Sequence, residues 1–120
     1  MATPFTMTQQ PVRVTATGYQ PMYLALDVGA FDALDVELGI IGLEGTSPTV
    51  TVELWTGMQA QTDDGYVQLY AWANQTAGNT YLRQSITSGL LRYLRWKVTT
   101  LGGTAPAATF SIRGMGRTNA

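Results

Sequence analysis

The chain contains neither histidine nor cysteine. Without them a Ser-His-Asp or Cys-His nucleophile cannot be assembled, the usual zinc ligand sets shrink to carboxylates, and disulfides are excluded as a stabilising device. Charge is scarce too: 12% of residues are charged, against about 25% in a typical soluble domain. The exterior must then be covered largely by Thr, Gln, Ser and Asn. Such a surface suits a protein packed against neighbours, because charge is depleted at interface centres; an ordinary Thr-rich β exterior accounts for it equally well. No run approaches the roughly 20 apolar residues that cross a bilayer. The opening MATPFTMTQQP lacks the positive start and apolar centre of a signal peptide, so neither membrane contact nor export is expected. A net charge of −1 lacks the basic surface that nucleic acid demands.

What is present is alternation. Val12, Val14 and Ala16 alternate with polar residues until Gly18 and Pro21, and Met22 to Val28 forms a second run. Leu34, Val36, Leu38 and Ile40 form one face of a third, with Asp35 and Glu37 on the other. Residues 42–48 read as a loop, after which Val50, Val52 and Leu54 point inward and Trp55 falls on the polar face. Thr62-Asp63-Asp64-Gly65 is a turn. Runs over 66–73, 80–86, 91–99 and 107–113 complete the count, the last two joined through Leu101-Gly102-Gly103-Thr104-Ala105-Pro106. Leu90, Leu91, Leu94 and Val98 also fit helical spacing with Ser88 as a cap, but Tyr93, Trp96, Thr99 and Thr100 favour a strand.

The expected fold is an all-β antiparallel β-sandwich, jelly-roll-like, of about eight strands. Residues 1–11, with Pro4 and Pro11, are expected as an extended N-terminal arm, 12–117 as the single domain and 118–120 as a short tail. No period of 20 to 50 residues repeats convincingly. Residues 1–60 carry one basic and six acidic side chains, and residues 61–120 carry six basic and two acidic. Either the halves intermix and pair across strands, or they separate and favour head-to-tail contact between copies.

A glycosidase needs only two carboxyl groups, which Glu37, Glu44, Glu53, Asp63 and Asp64 supply by type. Each, however, sits at an outward strand position or in a turn, where solubility and capping account for it. Asp63, Asp64 or the set Asp27, Asp32 and Asp35 offers the ligand type for Ca²⁺, without EF-hand spacing. Gly114-Met115-Gly116 ends a strand, and Asn74-Gln75-Thr76 is a chance match to a glycosylation acceptor. The expectation is no catalytic residue, no metal and no cofactor.

The sharper feature is aromatic. Tyr66, Gln68, Tyr70 and Trp72 share one side of their run and Val67, Leu69 and Ala71 the other. Those rings, with Trp55, can fill the core, anchor a protein interface or stack on sugar rings.

SGLLRYLRWKVTTLGGTAPAATFSIRGMGR, from Ser88 to Arg117, alternates Arg with aromatics, passes a Gly-Gly-Thr loop and ends Thr-Phe-Ser-Ile before Gly. With the run Val50–Gly57 and the Asp-Asp-Gly-Tyr turn, it resembles the closing hairpin of small β-sandwich proteins of tailed-phage particles. The resemblance covers about half the chain and implies a bacteriophage virion structural protein, a capsid decoration or assembly component completed in the host cytoplasm. Its implied partners are other copies of itself and a virion protein lattice, met through the arm residues Thr3, Pro4, Phe5, Thr6, Met7, Thr8, Gln9 and Gln10 and through Trp55, Tyr70, Trp72, Arg95 and Lys97. The alternative is a carbohydrate-binding β-sandwich module whose surface aromatics meet a glycan.

Overall fold

A computed structural model describes residues 2–8 and 11–118, Tyr23 through its backbone alone. The chain is all-β and antiparallel, with eight strands in one sheet as its alternation requires. They are β1 (Ala2–Thr6), β2 (Val12–Val14), β3 (Gly18–Tyr19), β4 (Leu26–Asp27), β5 (Ala33–Gly57), β6 (Val67–Ala71), β7 (Thr80–Ile86) and β8 (Tyr93–Arg117), with a 3-10 turn at Met22–Leu24. The expected second run is therefore mostly turn, because Pro21 supplies no N–H to a ladder.

Two strands dominate. β5 and β8 are each 25 residues long and pair from Ala33 opposite Arg117 to Gly57 opposite Tyr93. A straight strand of that length would span about 80 Å, yet the molecule is 48 Å in its longest dimension. The ribbon therefore doubles over at its middle, where residues 44–47 and 103–105 are exposed. On β8 the strands β1 to β4 form one flanking lane, and on β5 the strands β6 and β7 form the other. The result is a sheet four lanes wide folded once, which gives the two layers of a sandwich. The segment expected as a loop at 42–48 is the corner of β5, and the helical alternative after Ser88 gives way to β8.

The fold closes because the alternation stays in phase around the corner. Leu34, Val36, Leu38 and Ile40 before it, and Val50, Val52 and Leu54 after it, belong to one core, together with Leu94, Trp96 and Val98 and with Phe110 and Ile112. Four register shifts, near Ile41, Gly45, Ser47 and Thr99, absorb the bend.

The corner exposes an internal two-fold that the search for shorter periods overlooks. Gly103-Thr104-Ala105-Pro106 repeats Gly45-Thr46-Ser47-Pro48 at a distance of 58 positions. Both glycines have φ of 109°, while Ser47 and Ala105 have 51° and 49°. The pairing obeys the same offset. Val36 opposite Gly114 is answered by Leu94 opposite Thr56, Ile40 opposite Phe110 by Val98 opposite Val52, and Thr46 opposite Thr104 maps onto itself. In the flanking lanes, Val36 with Gln84 and Asp35 with Ser85 are answered by Leu94 with Leu26 and Tyr93 with Asp27.

The N-terminal segment is extended, but it is not a separate arm. β1 pairs with the end of β8, Thr6 opposite Arg113, and covers a row of backbone groups that would otherwise form an open edge. Met7 and Thr8 are buried behind it, and the Thr8 hydroxyl accepts the Ile112 N–H at 3.1 Å. Gln9 and Gln10 lie outside the described residues. Opposite charges intermix: Arg83 and Arg113 meet Glu37, Arg92 meets Asp27 and Arg117 meets Asp35, each joining the basic second half to the acidic first.

A Cβ at Gly45 would lie 2.6 Å from the Thr104 carbonyl oxygen, and one at Gly103 2.7 Å from that of Thr46. Both positions therefore need glycine, for φ and for space. Gly45→Ala and Gly103→Ala are expected to cost about 2 kcal/mol or more each, and similar amounts. Gly42→Ala, with nothing within 4 Å of its Cβ position, is expected to change stability by under about 1 kcal/mol. Chemical denaturation midpoints of the three variants check this.

Candidate functional site

Each half of the folded sheet has one outward face, and the two-fold makes their rows correspond. On the first face the rows Ser85, Asp35, Met115, Pro4 and Arg83, Glu37, Arg113, Thr6 cross four strands. On the second the corresponding rows are Asp27, Tyr93, Gly57 and then Arg95, Trp55, Gln68, followed by Tyr19, Lys97, Glu53.

The second face carries Trp55, Arg95 and Lys97 of the candidate contact residues. Trp55 and Lys97 lie on it half-buried, as their outward positions require. The Lys97 ammonium sits 4.4 Å from the centre of the Trp55 ring and 4.6 Å from that of Tyr19, and Tyr19 meets Trp55 edge-on at 5.7 Å. The indole N–H donates to Glu53 at 2.8 Å, and the other Glu53 oxygen accepts the Thr99 hydroxyl at 3.2 Å. The indole N–H is thus held by a neighbour while part of the aromatic surface stays open. The stack is built in advance of any contact.

Arg95 also points outward, but it is buried under Tyr19 and Tyr66, with guanidinium-to-ring distances of 4.4 and 5.1 Å. Its Nη1 donates to Asp63 at 2.6 Å, and its Nε and Nη2 donate to the Gln20 carbonyl at 3.2 and 2.6 Å. A buried guanidinium requires such a set of partners. Arg95 is therefore corrected from a contact residue to the post that fixes Tyr19 and Tyr66. Gln20 is the other half of the post: its side-chain amide donates to the Met7 and Leu24 carbonyls and accepts the Trp96 N–H. Burial pushes the Tyr66 phenol up from its ordinary value, and its hydroxyl donates to the Gln59 carbonyl at 2.8 Å.

Tyr70 and Trp72 leave the face altogether. A bulge sets Leu54 opposite Tyr70 but Trp55 opposite Gln68, so the aromatic stripe of residues 66–72 splits between the two sides of the sheet. Tyr70 turns inward half-buried, and Trp72 is buried beside it, edge-on at 5.3 Å. The corrected face is Trp55, Lys97 and Tyr19 supported by Arg95 and Tyr66. No periodic signal marked Tyr19 or Gln20, which lie in the break between Gly18 and Pro21.

The first face is charged and open. Glu37 accepts Arg83 Nε at 3.0 Å and Arg113 Nε at 3.3 Å, and Asp35 accepts the Ser85 hydroxyl at 2.6 Å. A groove of about 670 Å³ runs across it between Pro4, Met115 and Arg83. The carboxylates offered for catalysis or Ca²⁺ are dispersed: Glu44 pairs with Arg13 at 2.8 Å at the corner, Asp27 with Arg92 at 3.4 Å, and Asp63 with Arg95. Among the described residues no three acidic side chains converge as a metal site would require.

Arg95→Met removes both donors from the Gln20 carbonyl and is expected to cost about 2–3 kcal/mol. Lys97→Met, which loses only ring contacts, is expected to cost about 0.5–1 kcal/mol. Thermal or urea unfolding separates them, and equal losses would refute the supporting role of Arg95. The Arg83 guanidinium holds the Glu37 carboxyl below the usual carboxylate range, with Arg113 adding to it against an opposing effect of burial. A lowered folded pKa stabilises above the unfolded value of about 4.3 and is lost as pH falls through the folded one. Glu37→Gln is therefore expected to cost about 0.5–1 kcal/mol at pH 7, a difference that vanishes at strongly acidic pH when the two proteins are titrated side by side.

No family model matches this chain, and no curated protein matches it. Among solved structures, the crystal structure of the SPBc2 prophage-derived protein YomS is similar over 96% of this chain and 93% of that one, with a TM-score of 0.50 and 16% sequence identity. The likeness is one of fold.

Proposed function

We propose that the chain is a non-enzymatic structural module of a phage particle, completed in the host cytoplasm, that docks on copies of itself or on a repeating virion protein surface such as a capsid. One observation carries this reading: the stack of Trp55, Lys97 and Tyr19, half-open to solvent, with its Tyr19 ring resting on the buried Arg95. Aromatic and cationic side chains fixed before contact lose little entropy on binding, which is what interface anchors have in common. The sparse surface charge supports docking, and the prophage origin of the protein with a similar fold supports a phage setting. Protein is a better fit than glycan as the ligand, because Lys97 already covers part of the Trp55 ring and Trp72 is buried in the core. Neither ring offers a sugar platform.

Sedimentation velocity over a concentration series, followed by negative-stain microscopy of mixtures with phage shells, tests the proposal. Wild-type protein is expected to self-associate or decorate the shells. The Trp55→Ala, Lys97→Glu double variant is expected to bind about tenfold or more weakly while its melting temperature shifts by only a few degrees. A wild-type monomer that never decorates, or a variant that assembles as well as wild type, would overturn it.

A further inference from the structure

The two-fold sets the open groove on the first face against a surface that the chain itself covers. On the second face the corresponding surface is covered by the chain itself. The Asp63-Asp64-Gly65-Tyr66 turn folds over it, so that the Asp63 carboxylate reaches an outward-row arginine at 2.6 Å and the Tyr66 ring lies on Gly57, whose Cβ position is 2.8 Å from that ring. Gly57 corresponds to Met115, Arg95 to Glu37 and Trp55 to Arg113. Among the described residues no such turn covers the first face. Its lane is filled by β1, which borders the groove without crossing it.

What lies uncovered there is Glu37 at the position of Arg95, flanked by Arg83 and Arg113. Arg83 and Arg113 engage Glu37 through Nε, and with side chains 85% and 63% exposed they leave their terminal nitrogens accessible to a second carboxylate. Pro4 and Met115 supply apolar wall beside them. Arg83, Arg113 and Arg117 outnumber Asp35 and Glu37 on this face, which favours an acidic visitor.

We infer that the groove is a second docking site, for a protein partner's acidic turn that carries an aromatic side chain beside its carboxylate. In this state a carboxylate bridges Arg83 and Arg113 while the ring lies against Met115 and Pro4. As a role in assembly, this rests on the docking reading above. The binding itself does not, since it uses neither Trp55 nor Lys97.

The probe is the acetylated and amidated peptide Asp-Asp-Gly-Tyr, titrated into the isotope-labelled full chain and followed by two-dimensional NMR. Saturable shifts at millimolar concentration are expected at Arg83, Ser85, Arg113, Gly114 and Met115. The affinity is expected to fall about tenfold in Arg83→Gln, Arg113→Gln and with the peptide Asn-Asn-Gly-Tyr, and less steeply with Asp-Asp-Gly-Ala. Arg83→Gln keeps the Arg113 pair with Glu37, so a dispersed spectrum of that single variant shows the fold intact. Absence of groove shifts, shifts indifferent to the Asp-to-Asn exchange, or a DNA oligonucleotide that occupies the groove where the peptide does not, would each overturn the inference. A Trp55→Ala, Lys97→Glu protein that still binds the peptide separates failure of the first docking face from failure of this one.

Discussion

Everything in this molecule depends on two long strands keeping the same side chains inward through a fold of their own ribbon. Slipping one strand by a single residue would turn Leu34, Val36, Leu38 and Ile40 to solvent, so the corner must conserve phase as it changes direction. It does so with paired irregularities, each extra residue on β5 answered by one on β8. Gly45 lies on the carbonyls of Thr104 and Ala105, and Gly103 on those of Thr46 and Ser47. That mutual approach allows two sheets to share one continuous pair of strands without a connecting loop.

The same arrangement explains why the two outward faces differ so much in chemistry on a common scaffold. Corresponding positions hold Glu37 and Arg95, Arg113 and Trp55, Gly39 and Lys97. Apart from Thr56, which answers Gly114, the inward positions they alternate with are apolar in both halves, because the core constrains them. The outward ones are free to diverge. On one side this produced an open ion network, on the other an arginine sunk beneath two tyrosines. Burying Arg95 is tolerated because the Gln20 carbonyl and Asp63 together satisfy three of its donors.

Much of the fold was legible because alternation with period two is a direct imprint of a sheet with one wet face. Val50, Val52 and Leu54, or Leu94, Trp96 and Val98, read inward from sequence and are inward in space. Trp72 was harder. Its stripe with Tyr66 is regular in sequence, and only the bulge opposite Trp55 divides it, a feature that depends on the partner strand. Arg95 was placed on the correct side but at the wrong depth, since the rings that cover it come from residues 76 and 29 positions away. The N-terminal segment carried the marks of an extended chain, Pro4 among them, and extension is what an edge strand and a free arm have in common.

The internal repeat also bears on the chemistry of the two faces. Two half-units related by a two-fold would, if identical, present the same surface on both sides of the sandwich. Here the relation survives in the backbone register and has been lost from the outward side chains. The opposed faces are therefore chemically distinct, one a charged groove and the other a rigid aromatic patch. The difference follows from the divergence of residues such as Arg113 and Trp55 on a frame that Gly45 and Gly103 keep two-fold.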